Sequence, residues 1–235
     1  MSQFELNPSN LSGFFSNHCE QKLAYKIRKQ PVVANVKSPF DKVQTEAGVQ
    51  FEFKVLDILA SDVLVNDERK DKIWPTERFL SILRQEDEVV WEDGQYIFQP
   101  QLPLGDVDWL TLNIPEEYAK NVKPTNCRPD LLRIRFENGR RIIEVVDIKH
   151  TEKVKLSHRV QVYIYVQLLK RHVATIPDLE VDDQKGYIWL KGQYEATEYA
   201  FDELDRWKGE YGEIRLKFCN WAIEQLQAEL NSKEN

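Results

Sequence analysis

Apolar positions change period several times along the chain, and each change marks an element. Leu11, Phe14, Phe15, Cys19, Leu23 and Ile27 recur at helical spacing after the polar stretch Asn7 to Ser12, which predicts an opening amphipathic helix. A second helical stripe runs from about Thr45 to Leu59 through Gly48, Val49, Glu52, Val55, Leu56 and Leu59, with the carboxylate of Glu52 set inside it. A third begins after Pro75 with Phe79, Leu80, Ile82 and Leu83. The segments Val89 to Leu102 and Leu131 to Ile148 read as β-hairpins, turned at Asp93-Gly94 and at Asn138-Gly139. Val160 to Leu169 is almost wholly apolar with helical flanks, Gly186 to Leu190 reads as a short strand, and Ile214 to Leu230 as a closing amphipathic helix. No Pro/Gly/Ser-rich linker divides these segments, so one domain is expected over residues 1–235.

The second hairpin carries candidate chemistry. A two-residue turn at Asn138-Gly139 sets Glu137 against Arg140, and counting outward puts Asp130 against Asp147. Opposed residues share a sheet face with Cβ atoms about 4.5–5.5 Å apart, so two carboxylates are held side by side, an arrangement that is destabilising unless a cation compensates. Arg128 and Lys149 form the next pair on that face, which brings an ammonium two residues beyond Asp147. The opposite face supports this register, with Leu131 against Val146 and Arg133 against Glu144. Hard oxygen donors of this kind suit Mg²⁺ or Mn²⁺, and such ions commonly serve phosphate chemistry.

Composition narrows the setting. Three cysteines, Cys19, Cys127 and Cys219, form no CxxC pair, which predicts neither a disulfide framework nor a zinc ribbon. The opening residues lack a basic region followed by an apolar stretch, and no run reaches the roughly 18–20 apolar residues of a membrane span, so a soluble cytoplasmic protein is expected. A net charge of -7 argues against a uniformly basic nucleic-acid coat. The charge is uneven, however: residues 133–172 hold ten lysines and arginines against four acidic residues, which predicts a local basic excess on the hairpin and the helix after it. No GxxxxGK[ST] loop, GxGxxG turn or GxSxG elbow is present.

Arg128-Pro129-Asp130, then Glu144-Val-Val-Asp147-Ile-Lys149, then Gln161-Val-Tyr-Ile-Tyr165 on the next helix, resembles the PD-(D/E)XK nuclease superfamily, and within it the RecB-like exonuclease branch. Gly48-Val-Gln-Phe51-Glu52 is similar to the branch's first motif, and Tyr96-Ile-Phe-Gln99-Pro100 to the strand before the metal hairpin, so that most of Leu11 to Lys170 is covered. The resemblance implies an α/β fold with a PD-(D/E)XK core, a central mixed β-sheet flanked by helices, and an N-terminal helical part. It implies one or two Mg²⁺ or Mn²⁺ ions on Asp130, Asp147, the Ile148 carbonyl and Glu52, with Lys149 positioning the attacking water. Gln161 and Tyr165, four apart on one helical face, are expected to contact nucleic acid together with Arg128 and His158.

Two departures stand out. Phe51 occupies the position where many relatives carry a histidine ligand, and the late cysteine cluster of the iron-sulfur relatives is missing, so no iron-sulfur cluster is expected. The leading expectation is a metal-dependent deoxyribonuclease, exonuclease-like, that hydrolyses DNA single strands or duplex ends in repair, recombination or anti-phage defence. A helicase or another defence or repair protein is the expected partner, and no membrane is involved. The alternative is a catalytically idle RecB-like module that binds nucleic acid or a partner protein, and a third reading is a small-molecule phosphohydrolase.

Overall fold

The computed structural model describes residues 4–6, 8, 12, 39–102, 122–124 and 127–201. They contain helices α1 (Pro39–Leu59), α2 (Thr76–Arg84) and α3 (Leu156–Val173). The strands are β1 (Phe4–Leu6), β2 (Val63–Leu64), β3 (Tyr96–Phe98), β4 (Val122–Pro124), β5 (Leu131–Glu137), β6 (Arg140–Lys149), β7 (Leu179–Val181), β8 (Lys185–Leu190) and β9 (Thr197–Ala200). The helices expected over Leu11 to Ile27 and Ile214 to Leu230 lie outside the described residues.

The spine of the fold is the β5–β6 hairpin, whose register follows from its turn. Asn138 and Gly139 both adopt positive φ, 52° and 79°, as a tight two-residue hairpin requires. Glu137 therefore pairs with Arg140, and the ladder runs out to Arg133↔Glu144 and Leu131↔Val146, as expected from sequence. Asp130 lies one residue beyond the ladder, at a bend, and Arg128 is outside any strand, so no Arg128–Lys149 strand pair forms.

Around this hairpin the sheet takes the order β2-β3-β5-β6-β8-β9, with β7 also paired to β6. It is mixed: β3 runs antiparallel to β5, whereas β7 and β8 run parallel to β6, beside its first and second halves respectively. Parallel β6 and β8 need a crossover, which α3 supplies, giving an α/β architecture. A separate parallel pair joins β1 to β4.

Helices cover both faces. Phe51, Val55 and Leu59 of α1 pack on Phe98, Leu131, Val146, Ile148 and Trp189, while α2 and α3 enclose the other face around Leu132, Ile134, Ile143, Val145 and Ile188. α1 begins at Pro39, earlier than the expected Thr45, and Val49 of its predicted stripe is exposed while Phe51 is buried. The hairpin expected over Val89 to Leu102 does not form. Asp93-Gly94 does make a turn, but β3 pairs with β5 and β2 instead of with its own preceding segment. Trp91 of that segment is buried in the core beside α2, and its indole donates to the Gln95 carbonyl at 3.0 Å. Among the described residues no helix is long and apolar enough to cross a membrane.

Candidate active site

The sheet's register brings the candidate residues to one end, where β6 finishes and β5 begins. Asp130 accepts a 2.7 Å hydrogen bond on Oδ2 from the Ile148 backbone N–H, which locks its carboxylate against the end of β6. Asp147 is fully buried on the α2/α3 side of the sheet. The Lys149 ammonium sits 2.8 Å from Asp147 Oδ1 and 2.7 Å from Oδ2, and 4.0 Å from Asp130 Oδ2. Only Oδ1 receives a well-directed hydrogen bond, so Asp147 Oδ2 is a buried oxygen with none.

This arrangement sets two carboxylates against one ammonium in a low-dielectric setting. Burial, and the Asp130 charge after it, pushes the Asp147 carboxyl well above the ordinary range, although Lys149 opposes the shift. Burial works against the Lys149 charge, but Asp147 and Asp130 outweigh it and hold the ammonium above its usual value.

Glu52 reaches the same place from α1, on the other side of the sheet. Its Oε2 accepts from Gln99 Nε2 at 3.0 Å, and Gln99, with φ of 48°, donates its own N–H to the Asp130 carbonyl at 2.9 Å. Burial, with Asp130 beside it, raises the Glu52 carboxyl from 4.5 to about 7. Gln99 is thus the positioning residue that sequence reasoning missed. Its signal was the Gln99-Pro100 pair at the end of β3, but nothing in the chain connects that pair to Glu52.

The residues expected to contact nucleic acid divide. Arg128 is exposed and lines a cleft of about 850 Å³ together with Glu52, Gln99, Asp130, Lys149 and Gln161. Tyr165 reaches the same cleft but is only 3% exposed, and its hydroxyl donates to the Arg128 carbonyl at 3.0 Å while accepting from Gln161 Nε2 at 3.3 Å. Its role is therefore to fix the Arg128-Pro129-Asp130 segment to α3. His158 is buried and outside the cleft lining. Its Nδ1 accepts from the Lys155 N–H at the start of α3 at 3.3 Å, and burial, with Lys149 next, lowers its pKa to about 4, so this neutral ring caps a helix. Phe51 is buried with its ring 5.6 Å from that of His150, centroid to centroid.

The donor set suits a small hard cation. Asp130, Asp147 and the Ile148 carbonyl offer oxygens only, and the unbonded Asp147 Oδ2 is a donor that such an ion would satisfy, in exchange for the Lys149 contact. Among the described residues no three His, Cys, Asp or Glu side chains converge closely enough to hold an ion by themselves. Cys127 is buried beneath the segment and packed in the core. Comparison with protein-family models, curated proteins and solved structures returns no match to this chain.

Proposed function

We propose that the protein is a metal-dependent nuclease of the RecB-like branch of the PD-(D/E)XK superfamily, hydrolysing phosphodiester bonds in DNA. The observation that carries this reading is the juxtaposition of Asp130 and buried Asp147 with a single ammonium, Lys149, where Asp130 and Lys149 line a polar cleft. Two anions against one cation leave a charge deficit that a divalent ion removes, and Asp130, Asp147 and the Ile148 carbonyl are the residues that would hold Mg²⁺ or Mn²⁺. Bound there, the ion would supply Lewis-acid polarisation of a phosphoryl oxygen and neutralise developing charge. Lys149, fixed by Asp147, positions the attacking water and stabilises negative charge on the phosphate. Glu52, with a carboxyl that titrates near neutrality, accepts the proton that this water loses. The new bond is P–O to water, the bond that breaks is P–O to the leaving sugar oxygen, and that oxygen takes up a proton from solvent. Arg128 holds the substrate backbone, and Gln161 and Tyr165 keep its segment in place.

The alternative, an idle binding module, draws on Phe51, which leaves α1 without an imidazole at the position where the branch carries one, and on the complete burial of Asp147 beneath Lys149. One experiment separates the two: incubation with linear and circular, single- and double-stranded DNA, and RNA, with and without Mn²⁺. Mn²⁺-dependent degradation of DNA by the wild type and none by Asp147→Asn supports the nuclease. Binding without cleavage under every condition supports the idle module.

A further inference from the structure

A second cleft, of about 510 Å³, opens at the other end of the sheet and shares no lining residue with the first. Arg141, which lines it, precedes Asp147 by six residues on β6 and so lies about 20 Å from it. Arg141 is only 9% exposed. Its guanidinium donates from Nη1 to the Leu83 carbonyl in the last turn of α2 at 2.7 Å, and from Nη2 to the Pro177 carbonyl at 3.3 Å. Two of its five N–H groups are thereby used, and it forms no ion pair among the described residues. Burial, opposed by the Asp178 charge, holds its pKa below the ordinary guanidinium value. Phe136 is the cross-strand partner of Arg141, so the two share a sheet face with Cβ atoms about 4.5–5.5 Å apart. The helices bury Ile134 and Ile143, one step inward on that face, yet Phe136 is 46% exposed and lines the cleft. Arg84, next to the bonded Leu83, lines it too, and its contact with Glu86 is a loose 4.0 Å. An exposed ring and two guanidiniums thus share one concavity, whose lining also includes the exposed residues Thr175, Glu86 and Asp178.

We infer that this second cleft binds a small ligand that carries an anionic head on a flat ring, with a phosphate or carboxylate held by Arg141 and Arg84 and the ring set against Phe136. The planar fork of a guanidinium matches two oxygens of either head, and such charge-assisted pairs are stronger than neutral ones. A buried cation is destabilising unless an anion accompanies it, and the ligand supplies that charge without displacing the bonds to the Leu83 and Pro177 carbonyls. The Phe136 ring offers an aromatic partner in stacked or edge-on geometry. Glu86 and Asp178 repel a bare anion, so the ring contact is needed for affinity. The cleft volume falls within the range of small-molecule sites. The site stands apart from the hydrolytic centre and does not depend on the nuclease reading.

The test is isothermal titration calorimetry of the full chain in EDTA, with adenosine 5′-monophosphate and benzoate as ring-bearing anions and with adenosine and inorganic phosphate as the separated halves. At least one ring-bearing anion should bind with a Kd on the order of 1 mM or tighter, and each separated half roughly tenfold more weakly. Tighter binding of the monophosphate assigns a phosphate head and tighter binding of benzoate a carboxylate, and either supports the inference. Phe136→Ala should weaken binding roughly fivefold, and Arg84→Ala roughly tenfold or more. Both side chains are exposed, so circular dichroism should show these variants folded. Arg141→Lys, which keeps the charge and loses the fork, should weaken binding as Arg84→Ala does; if it fails to fold, the other two variants decide. Arg128→Ala, in the first cleft, should bind like the wild type. No binding of either ring-bearing anion, equal binding of adenosine or phosphate alone, unchanged affinity in Phe136→Ala or in Arg84→Ala, or loss of binding in Arg128→Ala would overturn the inference.

Discussion

Lys149 neutralises buried Asp147 and stands near Asp130, yet burial still raises the Asp147 and Glu52 carboxyls above their ordinary pKa. Glu52 shows the consequence most measurably. Its carboxyl is raised from 4.5 to about 7, so between those values the folded chain holds a proton that the unfolded chain has released. Its stabilising contribution is therefore complete below about pH 4.5 and is lost as pH rises through about 7. Glu52→Gln cannot ionise. In metal-free buffer the variant's Tm should gain on the wild type as pH climbs through that window and level off above it, with about 2–4 °C for each kcal/mol at this chain length. Thermal melts across the range read the difference, and a difference that does not change with pH would refute the assignment.

At the scale of elements, the site depends on how α3 grips the segment leading into β5. The Tyr165 hydroxyl links Gln161 to the Arg128 carbonyl, two residues before Asp130. Tyr165→Phe leaves that carbonyl without its partner, which costs about 1 kcal/mol and lowers Tm by about 2–4 °C. Because Asp130 is then held less firmly, kcat should fall several-fold while KM stays nearly constant. A raised KM with normal kcat would instead mean that Tyr165 touches the substrate. The two hairpin expectations show what was legible at this scale. Asn138-Gly139 sits between two long apolar arms that both need burial, so turn chemistry and hydrophobic pattern agree and the register can be counted out to Leu131↔Val146. Asp93-Gly94 is an equally good turn, but the segment before it is drawn into the α2 core through Trp91, and β3 finds its partners in β5 and β2. Local chemistry specified the turn, and tertiary packing chose the partner.

For the whole molecule, the uneven charge reads differently once partners are known. The basic excess of residues 133–172 is largely spent internally: Arg133 and Arg135 clamp fully buried Glu144, Arg140 pairs with Glu180, and Lys170 pairs with Asp183. Arg141 is buried against the carbonyls of Leu83 and Pro177. Apart from Lys149, the cations of the candidate active-site cleft come from elsewhere, Arg128 from the strand approach and Lys70 and Lys72 from a loop remote in sequence. A count along the chain registers the surplus but not its neutralisation, and for the same reason Gln99 could not be assigned: its partners Glu52 and Asp130 are close only after folding. Asp130, Asp147 and Lys149 were legible because one hairpin and the residue leading into it hold them all. Their joint chemistry is also what most needs measurement. The most direct one is the single-turnover rate of labelled linear DNA hydrolysis at saturating Mn²⁺ by Lys149→Ala, with its fold verified by circular dichroism. The Lys149 role described above predicts a fall of roughly 100-fold or more against an active wild type, and a Lys149→Ala protein that cleaves at the wild-type rate would contradict it.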